Sequence, residues 1–190
     1  MATVSKGQVR TYKQRTERLL RAVPTLDLRR KQLNREILVW EEELEEIKRR
    51  YEILLESVKS NPHPEVDVMV QVRNVSTKEV NIAGVMLDVV DSVEFEDINY
   101  SLFITPPSFD IFVMLKRDLL ETEARLEAKQ KALDALLEEL EITTQRINLF
   151  EKRLIPEYQD LIRYIKGRLE DNERSSVMIA KIAQAGMLAD

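Results

Sequence analysis

The stretch Leu33–Tyr51, LNREILVWEEELEEIKRRY, decides the fold of this chain. Its apolar side chains recur after alternating steps of four and three residues, at Leu33, Ile37, Trp40, Leu44, Ile47 and Tyr51. This spacing places them on one face of a helix, and when it is sustained over several heptads it indicates a coiled coil. The stretch therefore predicts a long helix that pairs with another helix through this face, called the seam below.

The same spacing extends in both directions, from Tyr12 to Val58. Twelve of its fourteen positions are apolar, and the exceptions are Thr16 and Arg30. Pro24 lies inside the pattern, and because a proline removes one helical hydrogen bond, we expect a bend near residues 22–24 rather than two helices. Two prolines in Ser60–Pro64 (SNPHP) end the pattern, so residues 1–60 are predicted as an N-terminal coiled-coil helix.

Residues 61–104 change to a period of two, which is typical of β-strands. Valines at positions 66, 68, 70 and 72 alternate with Asp67, Met69, Gln71 and Arg73. This alternation predicts a half-buried strand. A second alternation runs through Val80 and Val89 towards Phe95, and its break at Ala83-Gly84 suggests a bulge. The segment is therefore predicted as a β-hairpin insert with its connections, built from two or three strands.

Residues 105–190 return to the helical period. Thr105–Ser108 (TPPS) carries a helix-start signal, and eight of the eleven seam positions from Leu119 to Leu154 are apolar. Around Pro156 the seam steps by four residues twice, a stutter that locally unwinds a left-handed supercoil. The sequence thus predicts a mainly α fold, a long antiparallel two-helix coiled coil with a small β-hairpin insert between the helices, forming one rod-like domain.

The side chains predicted to carry the coiled-coil pairing come from both helices. They are Leu19, Leu26, Leu33, Ile37, Trp40, Leu44, Ile47, Tyr51, Leu126, Leu133, Leu140, Ile147, Phe150 and Leu154.

The composition excludes several classes of enzyme. The four glycines stand apart, so no phosphate-binding loop is present, and the absence of cysteine with a single histidine excludes the usual zinc sites and Cys–His nucleophilic pairs. His63 lies between two prolines and is expected to face solvent in a loop. The acidic run Glu41–Glu46 is expected to be a solvated face. We therefore expect no catalytic residue, no cofactor and no metal site.

Charge is distributed unevenly along the first helix. Residues 1–35 carry ten Lys/Arg against two acidic residues, and residues 36–60 carry eight Glu against four Lys/Arg. The basic end could bind nucleic acid, sit in an acidic protein cavity or simply be solvated. Tyr12 is the only aromatic residue among these basic residues, which argues against nucleic acid. The first residues contain no apolar signal segment, and Phe109–Leu115 is too short to span a bilayer, so a cytoplasmic location is expected.

Several motifs resemble one known family. Thr144–Pro156 (TQRINLFEKRLIP) is similar to a signature of the D-subunit family of A/V-type rotary ATPases, and Val23–Leu33 (VPTLDLRRKQL) resembles a run in its bacterial branch. Asn81–Val85 and Tyr100–Pro107 match the family in the same order. The resemblance covers nearly the whole chain.

The resemblance implies a central-stalk subunit, or rotor shaft, without an active site of its own. Its implied partners are the A and B subunits of the ATPase head, an F-type stalk subunit and a C/d-type rotor subunit, with no nucleic acid and no direct insertion into the membrane. On this basis the head cavity is expected to contact Arg10, Arg15, Arg18, Arg21, Ile179 and Ile182. The hairpin is expected to lie low on the shaft, near the F-type partner.

Two other classes stay open at this stage. A coiled-coil stalk or adaptor of an export ATPase is also a helical hairpin, but it lacks a valine-rich β insert and the NLFEKRLIP motif. A rod that binds nucleic acid would show an affinity that depends strongly on salt.

Overall fold

The computed structural model describes residues 5–60, 66, 69–98 and 108–187, and it is 81% helical. The elements in chain order are helix α1 (Lys6–Ser60), strands β1 (Val72–Ile82) and β2 (Val85–Phe95), helix α2 (Phe109–Leu149), a π-helical turn (Phe150–Leu154) and helix α3 (Ile155–Met187). The mainly helical fold with an antiparallel hairpin between helical segments confirms the predicted fold class. His63 and residues 105–107 lie outside the described residues. No helix in the described ranges has an apolar stretch long enough to cross a membrane.

Helix α1 begins at a capping box. The Ser5 hydroxyl accepts a hydrogen bond from the Gln8 N–H at 3.3 Å, and the Gln8 side chain accepts one from the Ser5 N–H at 3.2 Å. The helix then continues through Pro24 to Ser60 without a break, as expected for a single helix. A proline disfavours the helical conformation of the residue before it. The sequence Asn61-Pro62 therefore accounts for the end of α1 at Ser60.

The predicted first strand over valines 66 to 72 is wrong. Val66 and Met69 are helical, and the Val70 N–H donates to the Val66 carbonyl at 2.9 Å, the spacing of a helical turn. Val66 and Val70 are therefore on the same side of this turn, where both are buried in one cluster with Phe109 and Val113. Burial of this pair overrides the alternating pattern, and the strand begins only at Val72.

The predicted bulge at Ala83-Gly84 is also wrong, because these residues form the hairpin turn. Ile82 pairs with Val85, and both loop residues have positive φ, 50° at Ala83 and 82° at Gly84. Two positive φ angles match the type I′ geometry that suits the twist of paired strands. The Asn81 side chain accepts a hydrogen bond from the Gly84 N–H at 3.0 Å. The actual register shifts lie between Val72 and Asn74 and between Ser76 and Thr77.

The predicted stutter corresponds to the π-helical turn. There the Ile155 N–H donates to the Phe150 carbonyl, five residues back instead of four. Such a turn inserts one residue into the helix, and Pro156 follows it directly. The extra residue lets the seam change phase while the helix continues.

Contacts divide the chain into two compact units, residues 1–29 with 143–190 and residues 30–142. In the unit of residues 30–142, Leu33, Ile37, Trp40 and Leu44 of α1 form the core with Ala132, Leu133 and Leu136 of α2 and with Leu87 of β2. Trp40 contacts Lys129, and farther along α1 Tyr51 contacts Glu123, so the two helices of this unit run antiparallel.

The unit of residues 1–29 with 143–190 also contains an antiparallel helix pair. Lys6 forms an ion pair with Glu173 at 3.0 Å, and Tyr12 contacts Tyr158 with ring centroids 5.6 Å apart. Its buried apolar side chains are isoleucines of the C-terminal helical segments, Ile147, Ile155 and Ile165, and Thr16 of α1 is buried with them.

Candidate interaction surfaces

All fourteen predicted seam side chains are buried or half-buried. Those of the core in the unit of residues 30–142 are the most enclosed, and Leu33 has no exposed surface. The seam pattern therefore locates the side chains that the chain itself covers.

Three threonines occupy seam positions and are buried, Thr16, Thr122 and Thr143. The Thr16 hydroxyl donates to the Tyr12 carbonyl at 2.9 Å, and the Thr122 hydroxyl donates to the Asp118 carbonyl at 2.7 Å. Because a buried hydroxyl is costly without a hydrogen bond, these bonds to the preceding turn explain how a polar residue is accommodated in the seam.

Lys129 is the charged exception in the seam of α2. Its ammonium group lies 3.5 Å from the centroid of the Trp40 ring and forms an ion pair with Glu43, and its side chain is only 13% exposed. A cation over an aromatic face is stabilised by the ring quadrupole. Lys129 therefore pairs the helices through its charge where other seam residues do so by apolar packing.

Tyr51 makes a second polar contact between the helices. Burial, reinforced by the charge of Glu123 and a hydrogen bond to its carboxylate, raises the pKa of the Tyr51 hydroxyl above its ordinary value of 10.0. The phenol is therefore neutral and donates to Glu123 throughout the physiological range.

Sequence reasoning missed Ile155. The heptad count places Leu154 in the seam, but Leu154 is half-buried whereas Ile155 is buried. Beyond the π-helical turn, the predicted seam positions Tyr158, Leu161 and Ile165 are buried or half-buried, and Ile162 is half-buried as well. The stutter signals a change of phase but not its size.

The basic surface consists of Arg10, Arg15, Arg18 and Arg21 on the first turns of α1. All four side chains are exposed, and at 100° per residue they span an arc of about 140°. The Arg15 guanidinium lies 5.9 Å from the centroid of the Tyr12 ring. The arrangement presents several cations on one side of the helix.

The apolar end of α3 consists of Val177, Met178, Ile179 and Ile182. Ile179 is 68% exposed and Ile182 is 66% exposed, and every described side chain from residue 171 onwards is exposed. Large contiguous apolar patches on a protein surface are typical of sites of interaction with other macromolecules. The two isoleucines named as head contacts therefore lie on a surface that the described part of the chain leaves uncovered.

The hairpin is seated on the helices by one face. Leu87 belongs to the core, and Ile82, Val85 and Val89 pack against it. Beside this contact a groove of about 460 Å³ lies between the hairpin and α2, with Val75 and Met86 on the hairpin side and Ala124, Ala128 and Ala135 on the helix side. The small alanine side chains leave this space open on the helix side.

No group of acidic and histidine side chains within the described ranges is arranged to hold a metal ion. The acidic run predicted as a solvated face is indeed exposed at Glu41, Glu42, Glu45 and Glu46.

Comparison with known proteins identifies the family. The family model for the D subunit of ATP synthase matches residues 8–185. The D subunit of the V-type ATP synthase of Borreliella burgdorferi is 31% identical over 97% of this chain and 94% of its own length. Those of Chlamydia pneumoniae and Chlamydia abortus are 28% and 29% identical, each over 95% of this chain. The chain belongs to the D-subunit family of ATP synthases.

Proposed function

We propose that the chain is the central-stalk subunit of a V-type ATP synthase and transmits torque between the nucleotide-processing head and the ion-translocating membrane ring. Family membership carries this proposal. On this account the chain supplies no catalytic group, and ATP is made or hydrolysed by its neighbours. It belongs to the cytoplasmic side of the complex and is peripheral to the membrane.

The paired helices support a mechanical role. The backbone of α1 is helical over 55 residues and its seam is apolar, which is how a coiled coil gains stiffness along its length. The export-ATPase stalk is not favoured, since the family model matches from residue 8 to residue 185, including the β-hairpin.

The proposed partners are the A and B subunits of the head, an F-type stalk subunit and a C/d-type rotor subunit. We assign the basic surface and the apolar end of α3 to the head cavity. Exposed arginines suit acidic loops, and exposed isoleucines suit an apolar collar, so the two surfaces together match a cavity that is acidic in one part and apolar in another.

Charge reversal tests the basic surface. The triple variant Arg15→Glu/Arg18→Glu/Arg21→Glu is expected to lower ATP-driven turnover at least tenfold in a complex reconstituted with A, B and F-type subunits, because it replaces attraction to acidic loops by repulsion. Circular dichroism of the isolated chain checks that the helices persist.

The matched control is Arg49→Glu/Arg50→Glu/Lys59→Glu, which changes the same charge at exposed positions of the same helix. It is expected to keep more than half of the turnover. Equal losses in the two triple variants would show that net charge matters and the position of the arginines does not. Tight, salt-dependent retention on DNA by the wild-type chain would instead favour nucleic-acid binding.

We further propose that the hairpin contacts the F-type subunit at the open groove between the hairpin and α2. Met86 and Val75 are exposed there, and neither belongs to the core clusters. Met86→Glu is expected to weaken co-purification of the F-type subunit, while Glu79→Gln, at an exposed position of β1, is expected to leave it unchanged. Equal recovery of the F-type subunit with both variants would contradict this contact.

A further inference from the structure

One turn of α1 lacks part of its backbone hydrogen bonding. Pro24 has no N–H, so the Leu20 carbonyl loses its helical donor. Next to it, the Thr25 hydroxyl donates to the Ala22 carbonyl at 2.7 Å, a local bond of the kind that bends helices. Leu20 and Pro24 are both exposed, so this turn faces solvent. This turn is therefore softer than an ordinary helical turn.

A second irregular turn lies in the antiparallel C-terminal segment. The π-helical turn Phe150–Leu154 widens the helix, and Pro156 then removes the α-helical donor to the Lys152 carbonyl. Glu151, Lys152 and Arg153 are exposed, so this weakened stretch also faces solvent.

The two irregular turns lie at neighbouring levels of one helix pair. Counting back eight residues from Tyr158, which contacts Tyr12, places Phe150 opposite Leu20. The turn Leu20–Pro24 and the segment Phe150–Pro156 therefore fall within about 15 Å along the pair, at 1.5 Å per residue. Both belong to the unit of residues 1–29 with 143–190.

Side-chain packing is also thin at this level. Leu19, Val23, Phe150 and Leu154 are only half-buried, and Ile147 and Ile155 are the buried apolar side chains beside them. By contrast, each of the core residues Leu33, Ile37, Trp40 and Leu44 is nearly inaccessible. Weaker backbone bonding therefore coincides with weaker side-chain packing, the two features that lower local stability.

We propose that Leu20–Pro24 and Phe150–Pro156 together form a compliant joint, a level at which the paired helices twist and bend more easily than in the core. In a central stalk such a joint makes the shaft easier to twist at this level than at the core. That mechanical role rests on the proposed function, whereas the local softness is a property of the chain alone.

Hydrogen exchange of the full chain tests the softness. Amides of residues 17–28 and 146–160 are expected to exchange at least tenfold faster than those of residues 33–44. The variant Pro24→Ala/Pro156→Ala restores both missing donors and is expected to slow exchange in the two joint segments at least threefold. The control Gln14→Ala/Glu157→Ala changes exposed residues of the same helices and is expected to have no such effect. Equal exchange in the wild-type chain and the proline variant would overturn the joint.

The same variants test the role in the complex. With wild-type chain and variants assembled on A, B and F-type subunits, thermal fluctuations of a bead on the stalk measure its torsional stiffness. The proline variant is expected to assemble normally and to narrow the angular fluctuations measurably, and the control to match wild type. Normal assembly with unchanged fluctuations would overturn the mechanical role of the joint. Failure of the wild-type chain to assemble would instead contradict the proposed function, whatever the exchange rates show.

Discussion

At the residue scale, the polar side chains of the seam mark how the two helices recognise each other. Lys129 stacks on Trp40 and pairs with Glu43, and Tyr51 donates to Glu123. An aliphatic seam residue can pack against many different neighbours. A cation that needs both an aromatic ring and a carboxylate is accommodated in few alignments of the helices. These contacts therefore favour one alignment of the helices over its neighbours.

Removing Lys129 is expected to destabilise the chain. Lys129→Ala should lower the free energy of unfolding by about 1–2 kcal/mol, because it deletes a shielded cation–π contact and an ion pair. Lys131→Ala, two residues on at an exposed position, should change it by less than about 0.5 kcal/mol. Urea unfolding followed by the fluorescence of Trp40, the single tryptophan, measures both. Equal effects would show that the contact with Trp40 contributes nothing.

Tyr51 makes the stability of the chain sensitive to alkaline pH. The folded state raises the pKa of its hydroxyl, so the neutral phenol stabilises the fold below pH 10.0, and this contribution is lost as the pH rises through the raised pKa. At pH 8 the wild-type chain should therefore be more stable than Tyr51→Phe by about 0.5–1.5 kcal/mol, the net value of a hydrogen bond. The difference should shrink as the pH is raised beyond 10. A difference that stays constant with pH in urea unfolding would contradict the assignment.

At the element scale, periodicity predicts the helices well and the hairpin only in part. The seam of α1 can be predicted because its apolar spacing repeats over thirteen alternating steps of four and three residues. The segment from Val66 to Val72 is short, and its helical turn depends on Phe109 and Val113, which are distant in sequence. The Ala83-Gly84 turn is hard to predict because alanine is rare at positive φ and gives no turn signal of its own. In the sequence, the only sign of the π-helical turn is the stutter in the seam spacing around Pro156.

Replacement by alanine is expected to change stability in opposite directions at Gly84 and at Gly167. Gly84→Ala should lower the free energy of unfolding by about 1–2 kcal/mol, because an alanine at φ 82° is strained. Gly167→Ala should raise it by about 0.5–1 kcal/mol, because Gly167 lies inside α3 with open space where a Cβ would be added. Thermal unfolding of the two variants provides the comparison, and a shift of the same sign in both would contradict the turn geometry.

At the scale of the whole molecule, the buried side chains and the exposed charged or apolar side chains form separate groups. The core side chains hold the helices and hairpin together, while the basic surface and the apolar end of α3 are exposed. Composition alone predicts a chain without the residues of common catalytic sites. The contact residues for each partner cannot be predicted in this way. The sequence pattern of an exposed arginine is the same whether the side chain faces water or an acidic loop of a partner.

Photo-crosslinking from the apolar end of α3 tests the central claim most directly. The chain has no cysteine, so Ile182→Cys provides a single attachment point for a benzophenone probe. In a complex assembled from A, B and F-type subunits, illumination is expected to attach the chain to A or B and to stop ATP turnover in proportion to the yield, because a stalk fixed to the head cannot rotate. Efficient attachment to A or B with unchanged turnover, or attachment to neither, would contradict a rotating stalk inside the head.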